Sequence, residues 1–501
     1  MRRAVELSPA DWPRVLYGVR WNGRGRGLVF AVAGVIAALL STLILASSAV
    51  ASDRAVPVVV VGKGSARAVK AAGGKVTHRV RLIDGVIAQV PSRSVRAVRR
   101  ARGVRSVVVD RAFRTRSDDG EGDAPAMLGE SAPATDDVPA DATTLAEVRR
   151  SIGADRLDAS GDGVDVALID SGITPVGNLD TPGKVVNGPD FSFDGRNPDL
   201  RHLDAFGHGT HLAGIIAGVA PQARLVNIKA ANAEGVTSLT QLLLSLDYAV
   251  RYRHANGLDI RVITLAVGAD NDGYEHDPLA VAVERAWNAG VAVVSSAGNE
   301  GNSGGGLLLP AADPFVLAVG GADTQGTGDP ADDAVADWSS RGDGDRNPDV
   351  LAPGSSIVSY RVPGSFIDQS STGRVGDDRQ RGSGTSQAAA VAAGAAALLL
   401  ERHGDWSPDQ LKAALRTGAR PMDGDARAVG QGELDVVAAD AQSPPDQAQG
   451  FRPARLDDGF SRGRRYSVAV RRLRDLLGRR WTGRRWTGVK WNGVKWNGVK
   501  W

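Results

Sequence analysis

The sequence contains no cysteine among its 501 residues. This absence excludes disulfide bonds, and it also excludes metal sites built from thiolates. Methionine is scarce as well, with three residues in the whole chain. No recognition motif for nucleic acid is present, so we expect no nucleic-acid partner despite the formal net charge of +3. A chain of this length can hold two or three domains with a full-sized core.

Charge is unevenly distributed along the chain. Residues 52–111 carry 14 basic and 3 acidic side chains, whereas residues 145–451 carry 23 basic and 41 acidic ones. Residues 452–501 are basic again, with 15 basic against 3 acidic side chains. An acidic central region therefore lies between two basic segments, and the opposite charges favour docking of the first segment on the central region.

Four short segments of the central region each supply one residue type that nucleophilic catalysis requires. Asp170 follows the apolar run Val164–Ile169, which predicts a parallel strand buried on both faces. His208 and Ser386 come after glycines and before stretches rich in small apolar residues, which predict two helices. Asn299 closes a Ser-Ala-Gly-Asn segment. Taken singly, each of these residues is most simply a turn or capping residue.

Their chemistry is coherent when the residues act together. A serine hydroxyl needs a base to take its proton, and the imidazole of His208 titrates near neutral pH. Asp170 would fix the tautomer of His208 and stabilise its charged form. A helix N-terminus at Ser386 and the side chain of Asn299 would donate hydrogen bonds to a developing oxyanion. His211 follows closely, but no glutamate lies between the two histidines as in zinc peptidases, so we treat His211 as structural.

In the order Asp, His, Asn, Ser, the four segments resemble the subtilisin-like serine proteases (subtilases), from about Ser151 to Asp440. The resemblance implies an α/β domain with a doubly wound, mostly parallel sheet, and a serine endopeptidase that cleaves polypeptides without a cofactor. We expect a monomer. The family usually has methionine at Gln387 and proline at Ala390, and neither position takes part in the chemistry. The many aspartates permit a structural calcium site, but the sequence assigns no ligands to it.

The same resemblance implies where a substrate binds. Gly235, in the segment Glu234–Val236, would lie on the edge that pairs with the substrate backbone. The two walls of the primary specificity pocket and its rim would come from Leu265, Ala266, Val267 and Gly268, from Ser296, Ala297 and Gly298, and from Glu300. Because the second wall has small residues, we expect large apolar side chains to be accepted, with some tolerance for lysine or arginine beside Glu300.

Residues 1–51 read as an export segment. The apolar run Leu28–Leu45 follows arginines and precedes Ala49-Val50-Ala51, a small-x-small cleavage pattern. Two alternatives remain open: a cleaved signal peptide, or an uncleaved membrane anchor through residues 28–50. Both predict a secreted or extracellular location for the rest of the chain.

Residues 52–111 alternate strand-like and helix-like pieces in a β-α-β-β-α-β order, typical of a ferredoxin-like unit. It resembles the subtilase propeptide, which implies a folding aid and an inhibitor of its own enzyme; the alternative is an unrelated small α+β domain. Residues 112–144 are predicted to be an acidic linker that contains the maturation site. The peptidase domain then spans 145–440.

Residues 441–501 are predicted to be a linker and a basic tail. Tryptophan recurs every fifth residue from Trp481 to Trp501, with arginine or lysine between, after a basic amphipathic stretch. Interfacial tryptophans among cations suit an anionic membrane or cell-wall surface. Two alternatives remain: the tail folds back on the acidic domain, or surface binding is the main function and the protease domain serves maturation.

Overall fold

The structure is a computed structural model that describes residues 55–110, 112–114, 139–269, 273–303, 305–371 and 373–455. The apolar segment 28–50, most of the acidic segment before residue 139 and the tryptophan-rich tail lie outside the described residues. The predictions made for these three segments therefore remain predictions. Over the ranges that are described, no helix combines the length and the apolar character needed to cross a membrane.

Residues 55–109 fold in the β-α-β-β-α-β order that the sequence predicts. Its elements are β1 (Ala55–Val61), α1 (Ser65–Ala71), β2 (Lys75–Val80), β3 (Gly85–Pro91), α2 (Val95–Arg99) and β4 (Ser106–Val109). The strands form one antiparallel sheet in the order β2-β3-β1-β4. This is the strand order of a split β-α-β unit, in which each helix connects two strands separated by a third.

Both faces of strand β1 are buried from Val58 to Val61. Because side chains alternate along a strand, Val58 and Val60 of β1 pack in one cluster with residues of the unit's own helices. Val59 and Val61 point the other way and belong to the core of the large domain. The run of four valines, Val58–Val61, at the end of β1 therefore joins the N-terminal unit to the rest of the molecule.

The remaining strands form a large sheet and two small ones. They are β5 (Ala112–Arg114), β6 (Asp165–Asp170), β7 (Val185–Asp190), β8 (Arg224–Lys229), β9 (Val236–Ser238), β10 (Ile260–Leu265), β11 (Ala292–Ser296), β12 (Leu317–Asp323), β13 (Ala334–Val335), β14 (Val350–Pro353), β15 (Ile357–Tyr360), β16 (Arg374–Val375) and β17 (Arg379–Gly382). The large sheet has the order β13-β12-β11-β10-β6-β8-β7, with β14 also paired to β12. Only the pairing of β13 is antiparallel among these described strands.

Helices cover the large sheet and form the rest of the core. They are α3 (Leu145–Ser151), α4 (His208–Val219), α5 (Leu239–Arg251), α6 (Pro278–Asn288), α7 (Phe366–Ser370), α8 (Thr385–Arg402), α9 (Pro408–Thr417), α10 (Ala426–Val429) and α11 (Val436–Asp440). Helix α8 is buried along its length from Thr385 to Leu400, as its alanine-rich sequence predicts. The doubly wound, mostly parallel α/β domain is thereby confirmed.

Ordered structure extends further into the predicted linkers than the sequence indicates. Strand β5 lies within the predicted acidic linker, and the N–H of Thr143 donates to the carbonyl of Ser356. At the other end, Gln449 donates to the carbonyl of Phe315, and the N–H of Ala454 donates to the carboxylate of Glu284. The segment after α11 therefore lies along the surface of the large domain as far as Arg455.

Candidate active site

Strand β6 ends at Asp170 and helix α4 begins at His208, and the two side chains meet in the interior. Nδ1 of His208 lies 2.9 Å from Oδ1 and 3.0 Å from Oδ2 of Asp170, and both side chains are buried. When Nδ1 donates its proton to the carboxylate, Nε2 is the unprotonated nitrogen of the neutral ring. Nε2 makes no hydrogen bond to any residue of the described ranges.

The charge state of His208 is set by opposing effects. Burial lowers the pKa of His208, but the charge and hydrogen bond of Asp170, with the charge of Asp204, raise that pKa above its ordinary value overall. The opposite holds for His211, one turn further along α4. Burial and the charge of His208 lower the pKa of His211 to about 3, so His211 is neutral at working pH. A neutral neighbour does not oppose charging of His208.

A second buried carboxylate, that of Asp204, lies beside the Asp170–His208 pair. The hydroxyl of Ser171 lies 3.0 Å from Oδ1 of Asp170 and 2.8 Å from Oδ1 of Asp204. Asp204 also accepts the backbone N–H groups of Gly207 and Thr210, each at 2.7 Å. Burial and, to a smaller extent, the negative charge of Asp170 raise the pKa of Asp204. The hydrogen bonds that Asp204 accepts lower this pKa but do not cancel the rise. Asp204 thus holds the turn into α4, and the sequence analysis did not identify it.

Ser386 lies in the first turn of α8, which packs against α4. The N–H groups of a first turn have no acceptor within their own helix, so the N–H of Ser386 is available to a ligand. Gly384 precedes the helix at φ +152°, and a Cβ there would lie 2.9 Å from the side-chain oxygen of Gln387. The same Cβ would lie 3.3 Å from Nδ2 of Asn299, so glycine at this position leaves space beside both side chains.

The side chain of Asn299 is oriented by Thr385. Oδ1 of Asn299 accepts both the backbone N–H and the hydroxyl of Thr385, each at 2.9 Å. The Thr385 hydroxyl in turn accepts the N–H of Gly298 at 3.1 Å. Because two donors fix Oδ1, the Nδ2 end of the amide is the end left to donate. The predicted donor is therefore held in a defined direction, and Thr385 is a positioning residue that the sequence analysis missed.

The predicted pocket walls are the ends of two adjacent parallel strands, β10 and β11. The side chains of Leu265, Ala266 and Val267 are buried at and just after the end of β10. Ser296 and Ala297 are likewise buried. Gly268 and Glu300 are partly exposed at the ends of the two walls. The oxygen Oε2 of Glu300 accepts the hydroxyl of Ser340 at 3.1 Å.

The predicted substrate edge is occupied by the chain itself. Gly235 has φ +70° in a turn that leads into β9, and β9 pairs antiparallel with β5. In this register Ala112 lies opposite Ser238 and Arg114 opposite Val236. Strand β5 thus runs along the edge towards Gly235.

No group of three or more histidine and acidic side chains able to hold a metal ion occurs in the described part of the chain. In one loop, three backbone carbonyls accept hydrogen bonds from Arg346, those of Ala311, Asp313 and Val316. The described residues therefore assign no ligands to the calcium site that the sequence permits.

The fold is that of an α/β serine protease, and the buried Asp170–His208 pair is in keeping with this class. The model of the Subtilase family matches residues 161–432, and the chain belongs to this family. Serine protease AprX of Bacillus subtilis (strain 168) is 35% identical over 297 residues, which are 55% of this chain and 66% of AprX. Subtilisin DY of Bacillus licheniformis is 32% identical over 302 residues, 58% of this chain and 96% of that protein.

A solved structure supports the same fold. Fervidolysin from Fervidobacterium pennivorans, a keratinolytic enzyme related to subtilisin, matches with a TM-score of 0.60 at 21% sequence identity. The match covers 79% of this chain and 62% of fervidolysin. The resemblance stated from the sequence motifs is thereby confirmed at the level of family and fold.

Proposed function

We propose that this protein is a secreted serine endopeptidase that is made as a precursor and acts through Asp170, His208 and Ser386. The observation that carries the proposal is the bonding of His208. Its Nδ1 is fixed by both carboxylate oxygens of Asp170, while its Nε2 has no hydrogen-bond partner within the described residues. The N-terminal apolar segment and the absence of cysteine are in keeping with export.

The reaction follows from these positions. Nε2 of His208 takes the proton of the Ser386 hydroxyl as its oxygen attacks the substrate carbonyl carbon. The imidazolium that forms is stabilised by Asp170. His208 then gives the proton to the leaving amine, and an acyl-enzyme remains on Ser386. Water hydrolyses the acyl-enzyme with His208 acting as base a second time.

The negative charge on the carbonyl oxygen needs donors in the transition state. Nδ2 of Asn299, held in direction by Thr385, and the N–H of Ser386 at the start of α8 supply them. These donors are in place before the charge develops, so little reorganisation is needed during the reaction. Removing one such donor typically lowers kcat by about 100- to 1,000-fold.

The N-terminal unit is proposed as the inhibitor of its own peptidase domain. Its sheet packs on the large domain through valines such as Val59 and Val61. The carboxylate of Asp110 accepts the hydroxyl of Ser238 and the N–H of Thr240, each at 3.0 Å, and so caps the N-terminus of α5. Strand β5, which begins two residues after Asp110, then takes the substrate edge as a bound peptide would.

Replacing Ser386 by alanine tests the catalytic proposal. We expect the Ser386→Ala precursor to lose fluorophosphonate labelling and peptide hydrolysis, and to stay uncleaved between Ser117 and Thr144. Ser383→Ala, three residues earlier, is the matched control and should still label and mature. Mass spectrometry of the purified chains shows whether the serine is labelled and whether the precursor has been cleaved. If the Ser386→Ala chain matures in a protease-free system, another protease performs the processing.

The inhibitor proposal has a separate test. A fragment of residues 52–114 should inhibit the mature enzyme, and Asp110→Ala in that fragment should weaken inhibition about fivefold. This corresponds to about 1 kcal/mol for the loss of a helix-capping carboxylate. Asp53→Ala is the control, since Asp53 precedes β1. Equal inhibition by the Asp110→Ala fragment and the unchanged fragment would argue against this docking mode.

A further inference from the structure

The loop that ends at Leu309 passes between the two pocket walls. The N–H of Leu308 donates to the carbonyl of Ala297 at 3.2 Å, on the β11 side. The next residue, Leu309, exchanges two backbone hydrogen bonds with Ala269 on the β10 side, at 2.9 and 3.0 Å. Residue 308 is therefore tied to one wall while its neighbour is tied to the other.

The side chain of Leu308 fills the space between the walls. A Cβ added to Gly268 would lie 2.6 Å from Cδ1 of Leu308, and a Cβ added to Gly298 would lie 3.0 Å from the same atom. The two glycines therefore face one point, and a leucine methyl group occupies it. Leu308 is only partly buried, whereas Leu307 and Leu309 on either side are buried in an apolar cluster with Ala297.

We propose that Leu308 is the floor of the primary specificity pocket and restricts it to small side chains. The substrates would be polypeptides with alanine, serine or glycine before the scissile bond. The inference rests on the proposed peptidase function and specifies its substrate class. A phenylalanine side chain would have to displace Leu308, whose backbone is fixed on both sides, and a close-packed site resists such an insertion.

The carboxylate of Glu300 at the rim of the pocket also restricts which substrate side chains are accepted. Oε2 of Glu300 would lie 3.0 Å from a Cβ on Gly298, and it accepts the hydroxyl of Ser340. A carboxylate at this place repels an acidic substrate residue. The remaining space therefore suits small side chains without a negative charge, in contrast to the expectation of large apolar side chains drawn from the wall residues alone. That expectation considered the small residues of the second wall but not the leucine that projects between the walls.

The test compares two peptides that differ only in having alanine or phenylalanine before the scissile bond. Full-length chain is expressed and allowed to mature, and active sites are counted by fluorophosphonate titration. We expect kcat/KM for the alanine peptide to exceed that for the phenylalanine peptide by at least about tenfold, the scale of discrimination that pocket volume gives. Leu308→Gly should shift this ratio towards phenylalanine by about tenfold or more.

Two further variants keep the result interpretable. Leu308→Val retains most of the volume and should give an intermediate ratio, and Leu203→Ala changes a leucine that is 39% exposed and should leave the ratio unchanged. Equal cleavage of both peptides by the unaltered enzyme would overturn the inference. So would an unchanged ratio in both Leu308 variants with intact labelling. Loss of labelling at Ser386 in the unaltered enzyme would instead reject the proposed peptidase function.

Discussion

Asp204 and Asp170 approach the same hydroxyl group, that of Ser171, at 2.8 and 3.0 Å. The hydroxyl has one proton and can donate it to one carboxylate at a time. Two carboxylates thus lie beside His208 in a buried site, and the charge of each raises the pKa of that histidine. Because the proposed mechanism requires a neutral His208 to act as the base, the activity of the enzyme should depend on both carboxylates.

Asp204→Asn should move the acid limb of the pH–activity profile. In the unaltered enzyme kcat/KM rises as pH increases through the raised pKa of His208. Removing one negative charge lowers that pKa, so the rise should begin at lower pH. The measurement is kcat/KM from pH 5 to 10, with the exposed Asp199→Asn as control. An acid limb that stays in place would show that Asp204 has only a structural role.

Thr385→Val should lower kcat while KM stays nearly constant. The variant removes the hydroxyl that accepts from Gly298 and donates to Asn299, but it keeps the size of the side chain. We expect a loss of about tenfold, less than the loss of a whole oxyanion donor. Thr385→Ser keeps the hydroxyl and should retain most of the activity. A rise in KM at constant kcat would indicate that Thr385 serves substrate binding instead.

The main features of the site could be predicted because their signals are local. Asp170 follows an apolar run that becomes a buried parallel strand, and such strands carry active groups at their carboxyl ends. His208 and Ser386 follow Gly207 and Gly384, which have φ of +103° and +152°. Only glycine adopts such angles readily, so these turns are visible in the sequence.

Other features depend on contacts between distant segments and leave no local signal. Asp204 and Ser171 are hydrogen-bonded although they are 33 positions apart in the sequence, and Thr385 and Asn299 are hydrogen-bonded although they are 86 positions apart. Leu308 belongs to no motif, and its position becomes clear only when the ends of β10 and β11 are placed beside each other. For the same reason composition alone indicated a linker where β5 in fact pairs with a distant edge strand.

Asp313→Asn should stabilise the protein at alkaline pH. Burial, with the charge of Glu284 adding to it, raises the pKa of Asp313 to about 8. The folded protein therefore binds a proton at Asp313 that the unfolded chain releases near pH 4, so this residue's contribution to stability falls as pH rises from about 4 to 8. Asparagine avoids this loss and keeps an oxygen for the N–H of Phe315.

The measurement is the melting temperature of both proteins across pH 4 to 9, in the Ser386→Ala background to prevent autolysis. The variant should gain stability relative to the parent as pH rises. Asp323→Asn, at a partly exposed aspartate that also accepts a backbone N–H, serves as the control. A constant difference in melting temperature across this range would contradict the assignment.

Peroxide should inactivate the mature enzyme slowly. Gln387 follows the proposed nucleophile, and its side chain cannot be oxidised to a sulfoxide. Of the three methionines, Met1 and Met127 precede the peptidase domain and would be removed on maturation. Met422 packs against a separate apolar cluster that contains Leu351 and Val429.

The matched variant Gln387→Met places a thioether beside the oxyanion donors, and its oxidation would add a polar, bulkier group there. The measurement is the residual activity after timed exposure to hydrogen peroxide, which should be high for the unaltered enzyme and low for Gln387→Met. Equal and rapid loss of activity in both proteins would show that a different residue is the one sensitive to oxidation.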